Sequence, residues 1–433
     1  MYSSLHIAYS IADQDFERTA STGIYNFSTG LLPALAARSD VTCTVLGRPQ
    51  HRTLIQQAGL AGRYCSYPGW GLPGRMAWDQ AGVCRAARAS HADWLLLPKG
   101  FAPVRGCPGM RLAVYIHDLI PLLTYEGRFG GQRSEVRGRR SPRRGRSAQV
   151  APWLPRPPTG EVTRLRRASG GQGGRRFRPD FRLPTSDLRL PVSPLRYRYF
   201  RAGLRAAFRH AEVIFTNTAF TRSELLNWAR REGLPETPVT VAGYGFEQPR
   251  RMRTVTQDRV VVMFRLDPHK RPDLTLAWMR EWQERTGYEG EVVFVGAQRE
   301  AAPAHLPWNW RFVGRVKPDE CRELMQTARA VVHFSEYEGF GMPPVEAVLN
   351  GACPVYSAVP ATLEAMGDAG YSFENESLES FAAAMGRALD CDGERIAKWA
   401  EALLERHSWD RVAQRIVEGM GAAVGGQSSA VGG

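Results

Sequence analysis

Short apolar runs that alternate with longer amphipathic segments constrain the fold of this chain more than any other feature. Each run has the length of a strand, and the segments between runs, such as 25–38 and 75–89, carry apolar residues at helical spacing. Buried parallel strands are apolar along their whole length and need crossover connections, so this alternation predicts a parallel α/β fold. The predicted strands are 5–11, 41–46, 94–97, 112–116, 213–216, 260–264, 292–295, 311–313, 331–334, 354–356 and 371–373.

A break in the alternation near 236–258 divides the chain into two predicted domains. The first covers 1–238 and the second 239–405, while 406–433 is predicted as a crossover helix with a tail that is disordered from Gly419 onward. Thr221 and Glu224 are spaced as a capping box for the last helix of the first domain. Doubly wound sheets bind ligands outside the carboxyl ends of their strands, so a substrate is expected in the cleft between two Rossmann-like domains.

A basic segment, 128–190, lies inside the first domain and carries almost all of the net charge. Of the formal charge of +14, residues 128–189 contribute an excess of 13, from 17 Arg and four acidic residues. The Gly, Pro, Ser and Arg content and the loss of apolar periodicity predict a disordered insertion. Three readings stay open: no role, including a stretch read out of frame; contact with anionic lipid headgroups; and a basic arm for nucleic acid. We favour no role, then membrane contact, and expect no nucleic-acid partner.

The composition bounds the class of protein. A chain of 433 residues with 43% hydrophobic content can build two domains with separate cores. The chain has no run of about 18 apolar residues, the length that is needed to span a bilayer. The amino terminus lacks the basic flank and long apolar core of a signal peptide. We therefore expect a cytoplasmic protein. The seven cysteines are widely spaced and form no C-x-x-C pair, which disfavours a disulfide framework and a zinc site.

The segment 335–348 carries the strongest chemical signal. Glu338 and Glu346 lie on either side of a glycine turn, 339–342, that follows a predicted strand and opens a helix. Glycine lets backbone amides approach an anion closely, and the helix dipole favours negative charge at the first turn. The carboxylates can accept hydrogen bonds from sugar hydroxyls, so the turn predicts a nucleotide-sugar site. The alternative is a solvated loop residue beside an acidic helix start.

Three further strand ends carry candidate residues for the same cleft. Arg265 and Lys270 follow the first strand of the second domain, where two cations can neutralise a diphosphate. His117 and Asp118 follow a strand of the first domain, and Asp118 either orients His117 or caps the next segment. Gly23 lies in a turn after the first strand, where free amides could approach a phosphate. The alternatives are surface charges, a structural histidine and an ordinary turn.

Together these motifs resemble the retaining glycosyltransferases of family 4, which have the two-domain α/β fold called GT-B. The resemblance rests on Glu-Gly-Phe-Gly with a second Glu after seven intervening residues, on an Arg-Leu…Lys pattern and on His-Asp-Leu, over roughly 5–127 and 195–418. Phe264 and Tyr25 stand where the family commonly has Gly. The resemblance implies catalytic roles for His117, Arg265, Lys270 and Glu338. The donor-binding residues that it implies are Gly23, Arg265, Lys270, Glu338, Gly339, Phe340, Gly341, Met342 and Glu346.

By this resemblance the chain is a metal-independent, retaining hexosyltransferase. It would move a mannose-like or glucose-like hexose from a GDP- or UDP-hexose co-substrate, with no other cofactor, to a saccharide or lipid-linked saccharide acceptor. Surface polysaccharide synthesis, with peripheral contact to the inner membrane, is the expected setting. D-x-D strings at 13–15 and 390–392 match metal-dependent transferases only in three letters, and no P-loop string appears. Two other classes stay open: a sugar-nucleotide epimerase of the same architecture and a catalytically dead nucleotide-sugar-binding protein.

Overall fold

The computed structural model describes residues 4–12, 14, 22–64, 72–129, 194–247, 257–296 and 306–428. Its first sheet has seven parallel strands: β1 (Leu5–Ser10), β2 (Val41–Gly47), β3 (Ala61–Tyr64), β4 (Trp94–Leu97), β5 (Arg111–Ile116), β6 (Val213–Thr216) and β7 (Val239–Val241). Their order is β3-β2-β1-β4-β5-β6-β7. The strand order therefore reverses between β1 and β4, which is where ligand crevices open in such sheets.

Helices pack on both faces of this sheet. Ile7 and Tyr9 of β1 belong to one apolar cluster, while Ala8 between them belongs to another. Because successive side chains of a strand point to opposite faces, two covered faces require the continuous apolar strands from which the fold was predicted. The helices are α1 (Thr22–Ala36), α2 (Arg52–Gln57), α3 (Leu72–Ala77), α4 (Val83–Arg88), α5 (Ile120–Tyr125), α6 (Pro194–His210) and α7 (Ala219–Arg231), with a π-helical turn, Trp78–Gly82, between α3 and α4.

The second sheet has six parallel strands and repeats the same plan. They are β8 (Arg259–Met263), β9 (Glu291–Val295), β10 (Trp310–Gly314), β11 (Ala330–His333), β12 (Cys353–Ser357) and β13 (Tyr371–Phe373), in the order β10-β9-β8-β11-β12-β13. The helices of this domain are α8 (Pro272–Thr286), α9 (Pro318–Thr327), α10 (Met342–Leu349), α11 (Pro360–Met366), α12 (Leu378–Leu389) and α13 (Gly393–Arg406).

The last helix, α14 (Trp409–Ser428), returns to the first domain and packs against α1. The indole of Trp409 fills space that is open only because Gly30 and Gly245 lack side chains, since a Cβ on either would overlap the ring. The predicted disorder from Gly419 is wrong as far as Ser428, because this region continues the helix. Residues 429–433 lie outside the described part of the chain.

The predicted arrangement of two doubly wound parallel domains is confirmed, with three local corrections. β7 pairs with β6, so 239–241 belongs to the first sheet and does not begin the second domain. The cap of α7 is Thr218, whose hydroxyl oxygen accepts from the Thr221 amide at 3.0 Å, so the predicted capping box is wrong by three residues. β3 is mostly exposed and lacks the apolar run that identifies a buried strand. The predicted insertion, 128–190, lies outside the described residues except for positions 128 and 129.

Candidate functional site

The loops that follow β8 and β11 meet at the carboxyl edge of the second sheet. These strands are neighbours, and the chain after β8 makes a 3-10 turn, Pro268–Lys270. The carbonyl of His269 accepts hydrogen bonds from the Glu336 amide at 2.7 Å and from the Ser335 hydroxyl at 3.2 Å. These bonds fasten the two loops together. As a result Lys270 contacts a side chain that lies 68 residues away in sequence.

That side chain is Glu338, a buried carboxylate held by two neighbours. Lys270 Nζ forms an ion pair with Glu338 Oε1, and the two side chains are only 10% and 9% exposed. His333 Nε2 lies 2.8 Å from the same oxygen. Burial acts to raise the pKa of Glu338, but Lys270 and His333 outweigh burial and hold this pKa well below its usual value. Glu338 is therefore an anion at neutral pH, with Lys270 as its countercharge.

His333 is a site residue that the sequence analysis did not identify. It is the last residue of β11 and is 3% exposed. Its Nε2 is the donor, because a carboxylate only accepts, and its buried Nδ1 has no hydrogen-bond partner among the described residues. Burial lowers the pKa of His333, and the charge of Lys270 lowers it further. A histidine at the end of an otherwise apolar strand, shortly before an acidic loop residue, is the sequence signal that could reveal it.

We expect His333→Gln to weaken the pH dependence of folding. The pKa of His333 is lower in the folded chain than its usual value of 6.5, so its contribution to stability is complete above that value and is lost as the pH falls below it. The variant keeps a hydrogen-bond donor but cannot titrate. Between pH 6.5 and 5, its unfolding free energy should therefore decline less steeply than that of the wild type, by up to about 1.4 kcal/mol per pH unit. Urea titrations at several pH values measure this, and equal slopes would contradict it.

The turn 339–342 enters α10 with unpaired amides. Gly341 is the N-cap and has φ +90°, a conformation that favours glycine, and a Cβ there would overlap the Thr362 hydroxyl. Within the described ranges, the amides of Phe340, Gly341 and Met342 have no hydrogen-bond acceptor. They lie at the positive end of the α10 dipole, an arrangement that binds anions.

Arg265 lies at the rim of the same site. Its side chain is 50% exposed, and its guanidinium pairs with Asp267 at 2.7 Å. Burial and the charge of Lys270 lower the pKa of His269 to about 4, and the charge of Arg265 adds to this shift. The guanidinium of Arg265 therefore acts on a buried group of the same site. Phe264 points the other way, into the core, where it is 1% exposed. Phenylalanine in place of glycine therefore adds bulk to the core and leaves the site open.

His117 faces the glycine turn from the first domain. Its Nε2 donates to the carbonyl of Pro98 at 3.0 Å, and burial lowers its pKa to about 4, so the imidazole is neutral at pH 7. A Cβ on Gly339 would overlap the carbonyl oxygen of His117. The two loops are thus in direct contact across the cleft. Asp118 accepts a hydrogen bond from the Ile120 amide at 2.9 Å, so of its two predicted roles the structure shows the cap.

Gly23 also lies against the glycine turn, although it is part of α1 and not of a loop before it. Its carbonyl accepts a hydrogen bond from the Tyr244 hydroxyl at 3.2 Å. A Cβ on Gly23 would lie 2.9 Å from Met342 Cε, the end of a flexible side chain, so Gly23 packs directly against Met342. The structure therefore brings the predicted amino-terminal residue and the predicted donor turn together.

Glu346 lies in the second turn of α10, the helix that follows the glycine turn. Within the part of the chain that is described, its carboxylate has no hydrogen-bond partner. Burial raises its pKa, and the charge of Arg322 opposes that shift. Its own charge contributes to the high pKa of Tyr244, which places the carboxylate near that ring.

The D-x-D string at 390–392, which matches metal-dependent transferases, has a structural explanation. Asp390 follows α12, and Asp392 is the N-cap of α13, where it accepts from the Arg395 amide at 2.7 Å. Asp13 and Asp15 lie outside the described residues. Where side chains are described, no three His, Cys, Asp or Glu residues are grouped to hold a metal ion.

The described helices include none that is long and apolar enough to cross a membrane.

Residues 247–405 match the family described as Glycosyl transferases group 1. This segment is similar to group 1 glycosyltransferase domains. It contains the ion pair of Lys270 and Glu338, the rim residue Arg265 and the carboxylate of Glu346. The predicted resemblance is therefore confirmed at the level of the group 1 domain, whereas membership of family 4 stays a prediction.

Two curated relatives share parts of the chain. O-antigen chain mannosyltransferase B of Escherichia coli is 24% identical over 247 residues, which cover 50% of this chain and 62% of that protein. D-inositol 3-phosphate glycosyltransferase of Corynebacterium urealyticum is 30% identical over 112 residues, which cover 25% of this chain and 26% of that protein. The chain thus spans less than two thirds of the length of these curated relatives.

Solved structures resemble the whole chain in fold. HepE of Anabaena, in complex with UDP and glucose, superimposes with a TM-score of 0.58 at 13% identity and covers 96% of this chain and 100% of that one. Sucrose-phosphate synthase of Thermosynechococcus elongatus gives a TM-score of 0.56 at 13% identity, covering 96% of this chain and 98% of that one. The two domains of this chain therefore have the GT-B fold, as predicted.

Proposed function

We propose that this chain is a retaining, metal-independent hexosyltransferase of family 4 that uses a nucleoside diphosphate sugar as donor. One observation carries the proposal: Lys270, Glu338 and the unpaired amides of 340–342 converge at one sheet edge, opposite His117. An ammonium group and free amides suit a diphosphate, and a fixed carboxylate suits the hydroxyls of a sugar. Each part of a nucleotide sugar thus has a complementary group.

The two cations would divide the work on the diphosphate. Lys270 has three N–H donors, so it can contact a phosphate oxygen and keep its bond to Glu338. Arg265 is exposed, and its partner Asp267 lies in the same loop, so its guanidinium can turn from that carboxylate to a phosphate. Glu338 would remain fixed by Lys270 and His333 while it accepts hydrogen bonds from the sugar.

The transfer breaks the bond between the anomeric carbon and a diphosphate oxygen, and it forms a bond from the acceptor oxygen to that carbon. The acceptor proton moves to the departing diphosphate, so no separate base is required. With retention, the acceptor hydroxyl approaches the face from which the diphosphate leaves. Lys270, Arg265 and the 340–342 amides would stabilise the charge that develops on the diphosphate. In this scheme Glu338 positions the sugar and is not a nucleophile.

The comparisons favour a choice of donor and setting. The Escherichia coli relative is named as a mannosyltransferase of the O-antigen chain, which supports a GDP- or UDP-linked mannose and a surface-polysaccharide acceptor. HepE was crystallised with UDP and glucose, which supports a glucose donor as the second choice. Peripheral contact with the cytoplasmic face of the inner membrane would suit a lipid-linked acceptor.

The acceptor would bind on the first-domain side of the cleft. Pro98, which follows β4 at the carboxyl edge of the first sheet, accepts the hydrogen bond of His117. This edge faces the candidate donor turn, since a Cβ on Gly339 would overlap the His117 carbonyl oxygen.

A donor panel tests this proposal directly. The full chain would be incubated with GDP-mannose, UDP-mannose, UDP-glucose and UDP-N-acetylglucosamine, in the presence of EDTA, with and without mannose- and glucose-terminated oligosaccharides. We expect nucleoside diphosphate release that the acceptor accelerates, and a product whose anomeric configuration, read by NMR, equals that of the donor. An isomerised donor would indicate an epimerase, and binding without turnover would indicate a dead enzyme. Either result would overturn the proposal, as would inversion or inhibition by EDTA.

Arg265→Ala is expected to reduce kcat/KM by about a hundredfold in this assay, because it removes one stabilising charge from the leaving diphosphate. Its stability should stay within about 0.5 kcal/mol of the wild type, because the side chain is half exposed. Arg311→Ala is the matched control, since Arg311 is also 50% exposed and pairs with Glu291 at 2.8 Å on β9. Full activity in Arg265→Ala would contradict the assignment of Arg265.

A further inference from the structure

Two threonines of the first domain bind the backbone of the candidate donor turn. Thr218 Oγ1 and Thr221 Oγ1 donate to the carbonyl oxygen of Gly339 at 2.9 Å and 3.1 Å. Both side chains are buried, at 1% and 0% exposure. They lie at the start of α7, whereas Gly339 belongs to the second domain. The turn is thus held through its carbonyl by hydroxyls from across the cleft.

Glu364 closes the same junction in the opposite direction. From α11 of the second domain, its Oε1 accepts from the Ala219 amide at 2.6 Å and its Oε2 accepts from the Phe220 amide at 3.0 Å. The first amides of a helix have no intrahelical acceptor, and an anion at this end is favoured by the helix dipole. Thr218 takes the next amide, that of Thr221. The second domain therefore supplies the acceptor for two of the first three amides of α7.

Both sets of contacts exist only while the two domains lie against each other. If the cleft opened, the Gly339 carbonyl would lose two buried donors and the end of α7 would lose a carboxylate. The Glu364 contact is exposed to solvent, so water can replace it and the junction can release. The Gly339 carbonyl lies between the Glu338 side chain and the free amides that follow it. A shift of this carbonyl would therefore displace both parts of the proposed donor site.

We propose that Glu364, Thr218 and Thr221 form an interdomain clasp that couples closure of the cleft to the placement of the 339–342 turn. The ligand whose binding the clasp promotes is a nucleoside diphosphate, and this part of the inference rests on the proposed function. A ligand that binds only the closed arrangement loses apparent affinity in proportion to the fraction of molecules that are open. Weakening the clasp raises that open fraction without removing any group that would contact the ligand.

Glu364→Gln tests the charged half of the clasp. We expect the Kd for UDP or GDP, measured by calorimetry, and the donor KM to rise about tenfold. At saturating donor, kcat should stay within about twofold, because bound ligand restores closure. Glu320→Gln is the matched control, since Glu320 is an exposed carboxylate in the first turn of α9 in the same domain. A carboxylate with a merely structural role would lower Tm and leave Kd and KM unchanged.

Substitution of Thr221 tests the buried half of the clasp. Thr218 is less suitable, because it also caps its own helix and its loss would affect two contacts. Thr221→Val keeps the shape of the side chain but removes the donor to Gly339, and we expect it to raise Kd and donor KM as Glu364→Gln does. Thr221→Ser restores a hydroxyl and should return both values toward those of the wild type. Equal values for valine and serine would remove Thr221 from the clasp.

Small-angle scattering separates the clasp from the proposed function. Without nucleotide, Glu364→Gln should have a larger radius of gyration than Glu320→Gln, and saturating UDP or GDP should reduce the difference. If both variants match the wild type in Kd and in radius, the clasp is wrong even when the enzyme transfers sugar. If the wild type binds neither UDP nor GDP, the proposed function and its coupling to the clasp both fail. The scattering without nucleotide then shows whether Glu364 holds the domains together.

Discussion

Lys270→Met is expected to lower kcat/KM by about a thousandfold and to destabilise the chain by about 3–5 kcal/mol at pH 7. Activity falls because the proposed diphosphate loses its nearest cation. Stability falls because Glu338, which is 9% exposed, remains as a buried carboxylate without its countercharge. Steady-state kinetics and urea unfolding measure the two effects. Lys398→Met is the matched control, since that lysine pairs with Glu394 at 2.7 Å but is 72% exposed, and it should change neither property.

The pH dependence identifies Glu338 as the source of the destabilisation. In the wild type the pKa of Glu338 is held well below 4.5, so its contribution to stability is complete above that pH and is lost as the pH falls through the folded pKa. In Lys270→Met, uncompensated burial raises this pKa, so the deficit should shrink as the pH falls toward 4.5. Glu338→Gln in the Lys270→Met background should recover stability without recovering activity. A deficit that does not change with pH would contradict this explanation.

Gly339→Ala is expected to abolish at least 99% of the activity, which is a loss of about a hundredfold or more. The new methyl group would overlap the His117 carbonyl oxygen and lie 2.9 Å from Asp118 Cβ. The first of these is a backbone atom, so the loops must move apart. That movement shifts the Glu338 carboxylate and the free amides away from the first domain. Overpacking should also cost about 1–3 kcal/mol of stability.

Gly386→Ala provides the comparison for this prediction. Gly386 lies inside α12, where a Cβ would meet nothing within 4 Å. Alanine there should stabilise the chain by about 0.5–1 kcal/mol, because glycine is a poor helix former, and should leave kcat and KM unchanged. If Gly339→Ala is as active as Gly386→Ala, the two loops do not need to touch in the working enzyme.

Much of the fold could be predicted because buried parallel strands leave a simple mark on the sequence. β4 is buried at every position and appears as an uninterrupted apolar run, and β11 is interrupted only by its last residue, His333. β3 is mostly exposed and has no such mark, and β7 has only three residues. The end of the last helix is equally hard to predict from the sequence. The run of small residues after 419 suggested disorder, whereas packing against the first domain supports a helix there.

The site could be predicted in part for a similar reason. Loops after neighbouring parallel strands must lie at one edge of the sheet, so Lys270 and Glu338 were expected in one cleft. Their direct pairing was not expected, because it depends on the bonds that tie 335–336 to His269. His333 was missed because a single histidine in an apolar strand gives no sign of the direction in which its ring points.

The two doubly wound domains and the chemistry available at their strand ends follow from local periodicity and residue type, so both can be predicted from the sequence. Which groups pair depends on the packing of distant segments: Glu338 pairs with Lys270 and His333, and the Gly339 carbonyl pairs with the threonines of α7. Glu364 illustrates the difference, because the sequence around it does not indicate its partner, yet it caps a helix 145 residues away. Such contacts depend on how closely two separately folded domains approach, and that distance is a property of the packed interface and leaves no local pattern.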